Sequence, residues 1–288
     1  MSVIKGAQVA EAISADTLKR AEALKADGIE PCLAIIRAGE DGSQLAYERG
    51  ALKRMDKCGI KCRVRALDEN ISQKDFENEF RKINDDSGVH GILILQPLPK
   101  TLSIEPVKKI INPLKDVDAI SPMNMYKILA GDKTGYAPCT AEGVIEILDW
   151  MGMDLRGKKC KVIGRSMIVG KPLGLLLLSR DATVTYCHSK TRMLAEETRD
   201  ADVLISAAGS AKLVGADFVN ESMTVIDVGV NVGPDGKMCG DVDFEAVEPI
   251  AANITPVPGG TGAVTTSVLA KHVVKAAEAL SALEQKEE

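Results

Sequence analysis

Apolar positions in residues 7–26 recur at spacings of three and four, through Val9, Ile13, Thr17, Ala21 and Leu24. This spacing predicts a helix, and Gly28 supplies its stop. Cys32–Ile36 follows as a short apolar strand. Residues 44–57 read as a helix with charge on one face, ending at Gly59. Cys62–Leu67 alternates as a strand, residues 73–84 are helical, and Gly91–Leu95 is a fully apolar strand. Short apolar strands separated by helices predict a parallel sheet covered on both faces.

Pro113 and the stretch Asp116–Asp118 interrupt this rhythm. It resumes after Pro138, with Thr140 placed as an N-cap. A helix over 140–150 opens a second series. Lys161–Ile163, Thr183–Tyr186, Val203–Ser206 and Thr224–Val228 read as strands, with helices near 169–179 and 191–199 between them. A long final helix over 266–283 aligns Leu269, Val273, Ala276, Leu280 and Leu283 on one face. The fold class is therefore α/β, with a domain change near residue 139.

Composition narrows the function classes. A chain of 288 residues suits two domains, and its 45% apolar content excludes wholesale disorder. The net charge of −5 argues against a nucleic-acid surface, and 3% aromatic residues leave few stacking platforms. No apolar run approaches membrane-spanning length, and the first residues lack the apolar core of a secretory signal. Seven cysteines, an odd number, fit reduced thiols in the cytoplasm. Cys58 and Cys62 form a lone C-x3-C with no second pair, so no metal site is expected. His90 and His272 read as surface or helix-face residues, and His188 as a neighbour of the loop described next.

Strand Lys161–Ile163 runs into a glycine turn, Gly164 to Pro172, that precedes a helix. Backbone N–H groups and a helix N-terminus in that arrangement suit a pyrophosphate. Ser166 and Val169 stand where the second and third glycines of GxGxxG would be, so an ordinary βα turn explains the loop equally well by itself. The end of the next strand adds a second signal. An NAD site carries an acidic residue roughly 20 residues on, for the ribose 2′-hydroxyl. Residues 186–192 hold no carboxylate but do hold Ser189, Lys190 and Arg192. Together with Arg165 they favour a 2′-phosphate, hence NADP over NAD. Pro258-Gly259-Gly260 forms a stiff close-approach loop, and Asp227–Asn231 ends a strand where ligands of open α/β sheets bind.

Taken together, these segments resemble the methylenetetrahydrofolate dehydrogenase/cyclohydrolase family. The stretches that carry the resemblance are QPLP at 96–99, KDVDAISPMN at 115–124, VIGRSMIVGKPL at 162–173, TVTYCHSKT at 183–191, VIDVGVN at 225–231, GDVDF at 240–244 and ITPVPGGTG at 254–262. They run in family order over nearly the whole chain. The resemblance implies a folate-binding domain of residues 1–139 with 266–288, onto which the C-terminal helix packs back. It implies a Rossmann-like NAD(P)-binding domain of residues 140–265, a tetrahydrofolate site in the cleft between the two, and a homodimer. The implied reaction oxidises methylenetetrahydrofolate to the methenyl form with NADP; many members then hydrolyse that cation to formyltetrahydrofolate. Gly164, Arg165 and Ser166 match the dinucleotide loop, Ser189 the 2′-phosphate contact and Val230 a backbone contact on the nicotinamide side. Asp118 matches the aspartate that holds the pterin, and Tyr47 the tyrosine beside the aminobenzoyl ring. Pro258, Gly259 and Gly260 match the substrate-side loop.

Two departures stand out. The family reads Tyr-x-x-x-Lys in its first active-site helix, and its lysine serves the cyclohydrolase step. Here that position is Ala51, while Lys53 matches a second family lysine about 200° further round a helix. The family glutamine before Pro-Leu-Pro is replaced by Leu95, with Gln96 one place later, on the opposite face of a strand. Lys53 and Gln96 remain the candidate catalytic side chains for hydrolysis, with Tyr47 and Asp118 for substrate. The expectation is an NADP-dependent dehydrogenase with weak or absent cyclohydrolase activity. A fully bifunctional enzyme, a dehydrogenase of a small acid and a non-catalytic NADPH-binding regulator are the rival readings.

Overall fold

The computed structural model describes residues 2–233 and 236–287. In chain order its strands are β1 (Ser2–Val3), β2 (Cys32–Ala38), β3 (Lys61–Leu67), β4 (Gly91–Ile94), β5 (Lys159–Ile163), β6 (Thr183–Cys187), β7 (Val203–Ser206), β8 (Thr224–Asp227), β9 (Asn231–Val232), β10 (Met238–Cys239) and β11 (Asn253–Ile254). The helices are α1 (Gly6–Ala26), α2 (Gly42–Lys57), α3 (Gln73–Asn84), α4 (Glu105–Ile110), α5 (Pro122–Ala130), α6 (Cys139–Trp150), α7 (Gly170–Leu178), α8 (Leu194–Thr198), α9 (Phe244–Val247) and α10 (Thr261–Glu287).

Two compact units result. One comprises Ala12–Cys139 and the chain from Thr266 onward. Its sheet runs β3-β2-β4, all parallel, with Leu33 opposite both Cys62 and Gly91. Ala34, Ile36, Ile92 and Ile94 face Phe76 and Phe80 of α3 and Val107 of α4 in one buried cluster. Strand alternation turns Leu33, Ile35 and Leu93 to the other face. β3 is an edge strand, which explains why most of its side chains are exposed. Asp41 starts α2 by accepting hydrogen bonds from the Ser43 and Gln44 amides, and Gly59, at φ +66°, ends it. Arg20 of α1 holds Glu278 of α10 through two hydrogen bonds of 2.9 and 2.7 Å.

The other unit comprises the N-terminal segment up to Glu11 and Thr140–Thr265. Its sheet order is β1-β11-β8-β7-β5-β6, again all parallel. Ile163, Leu204, Val225 and Ile254 of four strands share a core with Val214, Met223, Val242 and Val247. The first residues group with this sheet because β1 pairs with β11, Ser2 opposite Asn253 and Val3 opposite Ile254.

Other differences are local. The helix expected over 191–199 shrinks to α8, because Met193 takes a left-handed conformation at φ 51°. α10 begins at Thr261, five residues earlier than its apolar face suggests, and that face ends before Leu283, which is 47% exposed. Helices α4 and α5 are additions to the sequence reading. None of the helices described is long and apolar enough to cross a membrane.

Candidate active site

In the six-stranded unit the glycine turn lies at the carboxyl end of β5. The Gly164 amide donates to the Cys187 carbonyl at 2.8 Å, so the turn and the end of β6 are fixed side by side. Gly164 has φ +131°, and a Cβ there would sit 2.3 Å from the Ala207 carbonyl oxygen. Arg165 to Ile168 are exposed. The Ser166 hydroxyl accepts from the Val169 amide at 3.1 Å and the Gly170 amide at 3.5 Å, and its carbonyl accepts from the Lys171 amide at 3.0 Å, so Ser166 closes the entry to α7. The first-turn amides of α7 are thereby engaged and Pro172 has none, so it is the exposed backbone of residues 165–168 that the loop presents to an anion. Ser189 is exposed two residues beyond β6. His188 closes a turn there: its amide donates to the Thr191 hydroxyl and its Nδ1 accepts from the Lys190 amide.

Two buried carboxylates shape the ends of β7 and β8. Asp241 is fully buried and accepts from the Ser206 hydroxyl, the Ala208, Gly209 and Ser210 amides, and Asn231 Nδ2. It therefore ties the loop after β7 to the segment carrying Val230, which is 63% exposed. Asp227 accepts from the Gly229, Asp241 and Val242 amides. Burial pushes its carboxyl up to about 6, and the amide donors and Asp241 act as lesser influences. The folded state thus holds this proton at pH values where the unfolded chain has lost it. Stability from Asp227 is fully present below its ordinary range near pH 4 and is lost as pH rises through 6. The difference is about 3 kcal/mol. Urea unfolding of the parent and of Asp227→Asn at pH 4.5 and 7.5 is expected to show a loss larger by about 2 kcal/mol in the parent than in the variant, since pH 4.5 already lies above the unfolded value. Pro258 and Gly259 are exposed, Gly260 is buried, and the Gly6 amide donates to the Gly259 carbonyl at 2.9 Å.

In the three-stranded unit the loop around Asp118 is braced at every turn. Lys115 Nζ donates to the Asn84 and Asp86 carbonyls, both at 2.8 Å. Asp116, fully buried, accepts from the Ile120 and Ser121 amides and from Asn124 Nδ2. His272 Nδ1 donates to the Val117 carbonyl at 2.8 Å, and the Cys139 thiol donates to the same oxygen at 3.3 Å. Asp118 itself accepts from the Cys139 amide at 2.9 Å, at the start of α6. Burial raises its carboxyl above the ordinary aspartate range, and that amide partly offsets the rise. Tyr47 of α2 lies close by. Burial, then the charge of Asp118 and the Cys139 thiol, push its phenol well above its ordinary value, so it stays neutral.

A polar hollow of about 680 Å³ lies at the opposite, amino ends of these strands. Its cations are already engaged, Lys61 by Glu30, Arg63 by Asp86 and Lys115 by carbonyls.

Comparison with known proteins bears on the whole chain. Residues 4–118 match the catalytic domain of tetrahydrofolate dehydrogenase/cyclohydrolase, and residues 138–281 match its NAD(P)-binding domain. The chain belongs to the tetrahydrofolate dehydrogenase/cyclohydrolase family. The bifunctional protein FolD of Alkaliphilus metalliredigens is 50% identical over 95% of this chain and 96% of its own length. FolD of Clostridioides difficile is 51% identical over the same shares. The crystal structure of FolD from Campylobacter jejuni superposes with a TM-score of 0.94 at 39% identity, covering 97% of this chain and 99% of its own. The Trypanosoma brucei dehydrogenase-cyclohydrolase, complexed with NADP and an inhibitor, gives 0.91 at 33% identity over 97% and 98% of the two chains.

Within this family fold the two departures take physical form. Ala51 is wholly buried on α2, while Lys53 is exposed on another side of the same helix. Leu95 is buried and its amide still donates to Ile36 of β2, whereas Gln96 is exposed just beyond the sheet. The structure therefore brings Tyr47 and Asp118 together but leaves Lys53 outside that group. Cys139, Tyr136 and His272 were not singled out by sequence. His272 is buried, contrary to the helix-face reading, with its ring centroid 5.2 Å from that of Tyr136. Its spacing along α10 carried the signal: His272 falls beside Leu269, Val273 and Ala276, on the face already marked as core.

Proposed function

We propose that this protein oxidises 5,10-methylenetetrahydrofolate to 5,10-methenyltetrahydrofolate with NADP, within one-carbon metabolism, and has little or no cyclohydrolase activity. The glycine turn and the carboxylate-free end of β6 support the cofactor assignment. NADP, when bound, supplies the hydride acceptor. Gly164, Arg165 and Ser166 cradle its pyrophosphate, Ser189 with Arg165 takes the 2′-phosphate, and the Val230 backbone borders the nicotinamide. Asp118 accepts the paired N–H donors of the pterin, Tyr47 lies along the aminobenzoyl ring, and Pro258-Gly259-Gly260 borders the substrate. Hydride transfer needs chiefly proximity and orientation of two rings, which these groups supply without an acid or base.

The observation that carries the cyclohydrolase part is the pair Ala51 and Leu95, both buried. Hydrolysis of the methenyl cation requires an oriented water, removal of its proton and protonation of the departing nitrogen. Methyl and isobutyl groups do none of these. Lys53 and Gln96 are the remaining candidates for that step, and their exposure argues against both. The bifunctional reading draws support from the names of the FolD relatives, and it predicts enzymatic removal of the methenyl product. Following the family, the protein works as a homodimer in the cytoplasm; sedimentation at micromolar concentration tests the first point.

Cofactor choice is tested at Ser189. Ser189→Asp replaces a phosphate donor with a repelling carboxylate suited to a ribose diol. The ratio of kcat/KM for NADP over NAD is expected to fall roughly 100-fold. An unchanged ratio would remove Ser189 from the 2′-phosphate site.

A further inference from the structure

Gln44 occupies the first turn of α2 and is 1% exposed. Its Nε2 donates to the Pro97 carbonyl, directly after Leu95 and Gln96. That bond fixes the amide orientation, since the flipped form would set two carbonyl oxygens against each other. Its Oε1, also buried, has no hydrogen-bond partner in the protein, the one such side-chain atom among the described residues. A buried carbonyl without a donor is costly, and native structures keep one where a ligand or water completes it.

The position says which ligand. On a helix, Gln44 and Ala51 differ by seven residues, two turns less about 20°, and Tyr47 lies between them about 60° away. Gln44, Tyr47 and Ala51 therefore form one row on α2. Tyr47 is close enough to Asp118 for that carboxylate to raise its phenol. The row ends at Gln44, against the segment 95–97 that holds the second departure from the family pattern.

We propose that Gln44 is a substrate-contacting residue whose Oε1 accepts a hydrogen bond from an N–H of the bound reduced pteridine. This rests on the reading above that Tyr47 and Asp118 bind tetrahydrofolate. A reduced pteridine carries N–H donors on both rings, and Oε1 is an acceptor held ready by the Pro97 bond. An amide does not titrate, so it adds affinity for the folate without adding a base for hydrolysis.

The test is calorimetric titration of tetrahydrofolate into the parent, Gln44→Met, Gln44→Glu and Asp118→Asn, each with a thermal melt. Methionine removes both amide functions at similar volume; glutamate keeps an acceptor but loses the donor to Pro97. Gln44→Met is expected to weaken binding about tenfold with no loss of melting temperature. Gln44→Glu is expected to bind within about threefold of the parent. NADP binding should not change in either. Parent-like binding by Gln44→Met would overturn the proposal. So would equal weakening in both Gln44 variants with lowered melting temperatures, which would mean the amide only braces Pro97. If Asp118→Asn weakens binding but Gln44→Met does not, this inference alone fails. If Asp118→Asn also binds normally, the folate site itself has been misassigned.

Discussion

Gly164→Ala is expected to cripple NADP-dependent turnover at cofactor concentrations that saturate the parent. The added Cβ meets the Ala207 carbonyl oxygen at 2.3 Å, well inside van der Waals contact, and φ +131° is a conformation that alanine rarely adopts. Neither neighbour can yield cheaply. Ala207 follows β7 directly, and its amide donates to the Ile163 carbonyl at 2.8 Å. Relief must come from the turn, which swings the amides of residues 165–168 away from the pyrophosphate. The expected result is a rise of roughly 100-fold or more in the KM for NADP, with a stability loss of about 3 kcal/mol. Steady-state kinetics against NADP, paired with urea unfolding, checks both. Parent-like KM would mean that the dinucleotide lies elsewhere.

Asp118→Asn should be nearly as damaging, by a different route. Asparagine keeps an oxygen for the Cys139 amide, so the start of α6 and the braced loop persist. Its other end turns an N–H2 toward ligand donors that need an acceptor. Hydrogen bonds to a charged group are each worth about 1.5–3 kcal/mol. Loss of two predicts a drop of roughly 100- to 20,000-fold in kcat/KM for methylenetetrahydrofolate. The melting temperature should stay close to that of the parent. A loss of less than about tenfold, on a scale where 1.4 kcal/mol is one decade, would separate Asp118 from the pterin.

Much of the scaffold is legible in the sequence because its strands are short, largely apolar runs set between polar or glycine-bearing segments. Cys32–Ile36 and Val203–Ser206 need no tertiary information to be recognised, and observed strands cover both. The β1–β11 pairing is different. Two residues at each end of a long separation carry no periodicity, so nothing in the sequence shows that Ser2 and Val3 pair with Asn253 and Ile254. Helix α5 had its signals, Ser121 before Pro122 and Gly131 in a left-handed stop, but its nine residues are too few for a period to show. The glycine turn and the Asp118 loop were visible as motifs. The bracing around them was not, because it comes from Asn84, Asp86, Tyr136 and His272, which lie far from Asp118 in sequence or on another element. Gln44 was within reach: three residues before Tyr47, it shares that helix face, but only burial shows that its carbonyl lacks a partner.

The most direct measurement mixes the protein with methylenetetrahydrofolate and NADP, with NAD as a control, and follows NADPH and methenyltetrahydrofolate together. One methenyl product per NADPH is expected, formed faster with NADP than with NAD and then decaying at the enzyme-free rate. Removal of the methenyl product faster than the enzyme-free control would contradict it, and would return Lys53 and Gln96 to the reaction despite their exposure.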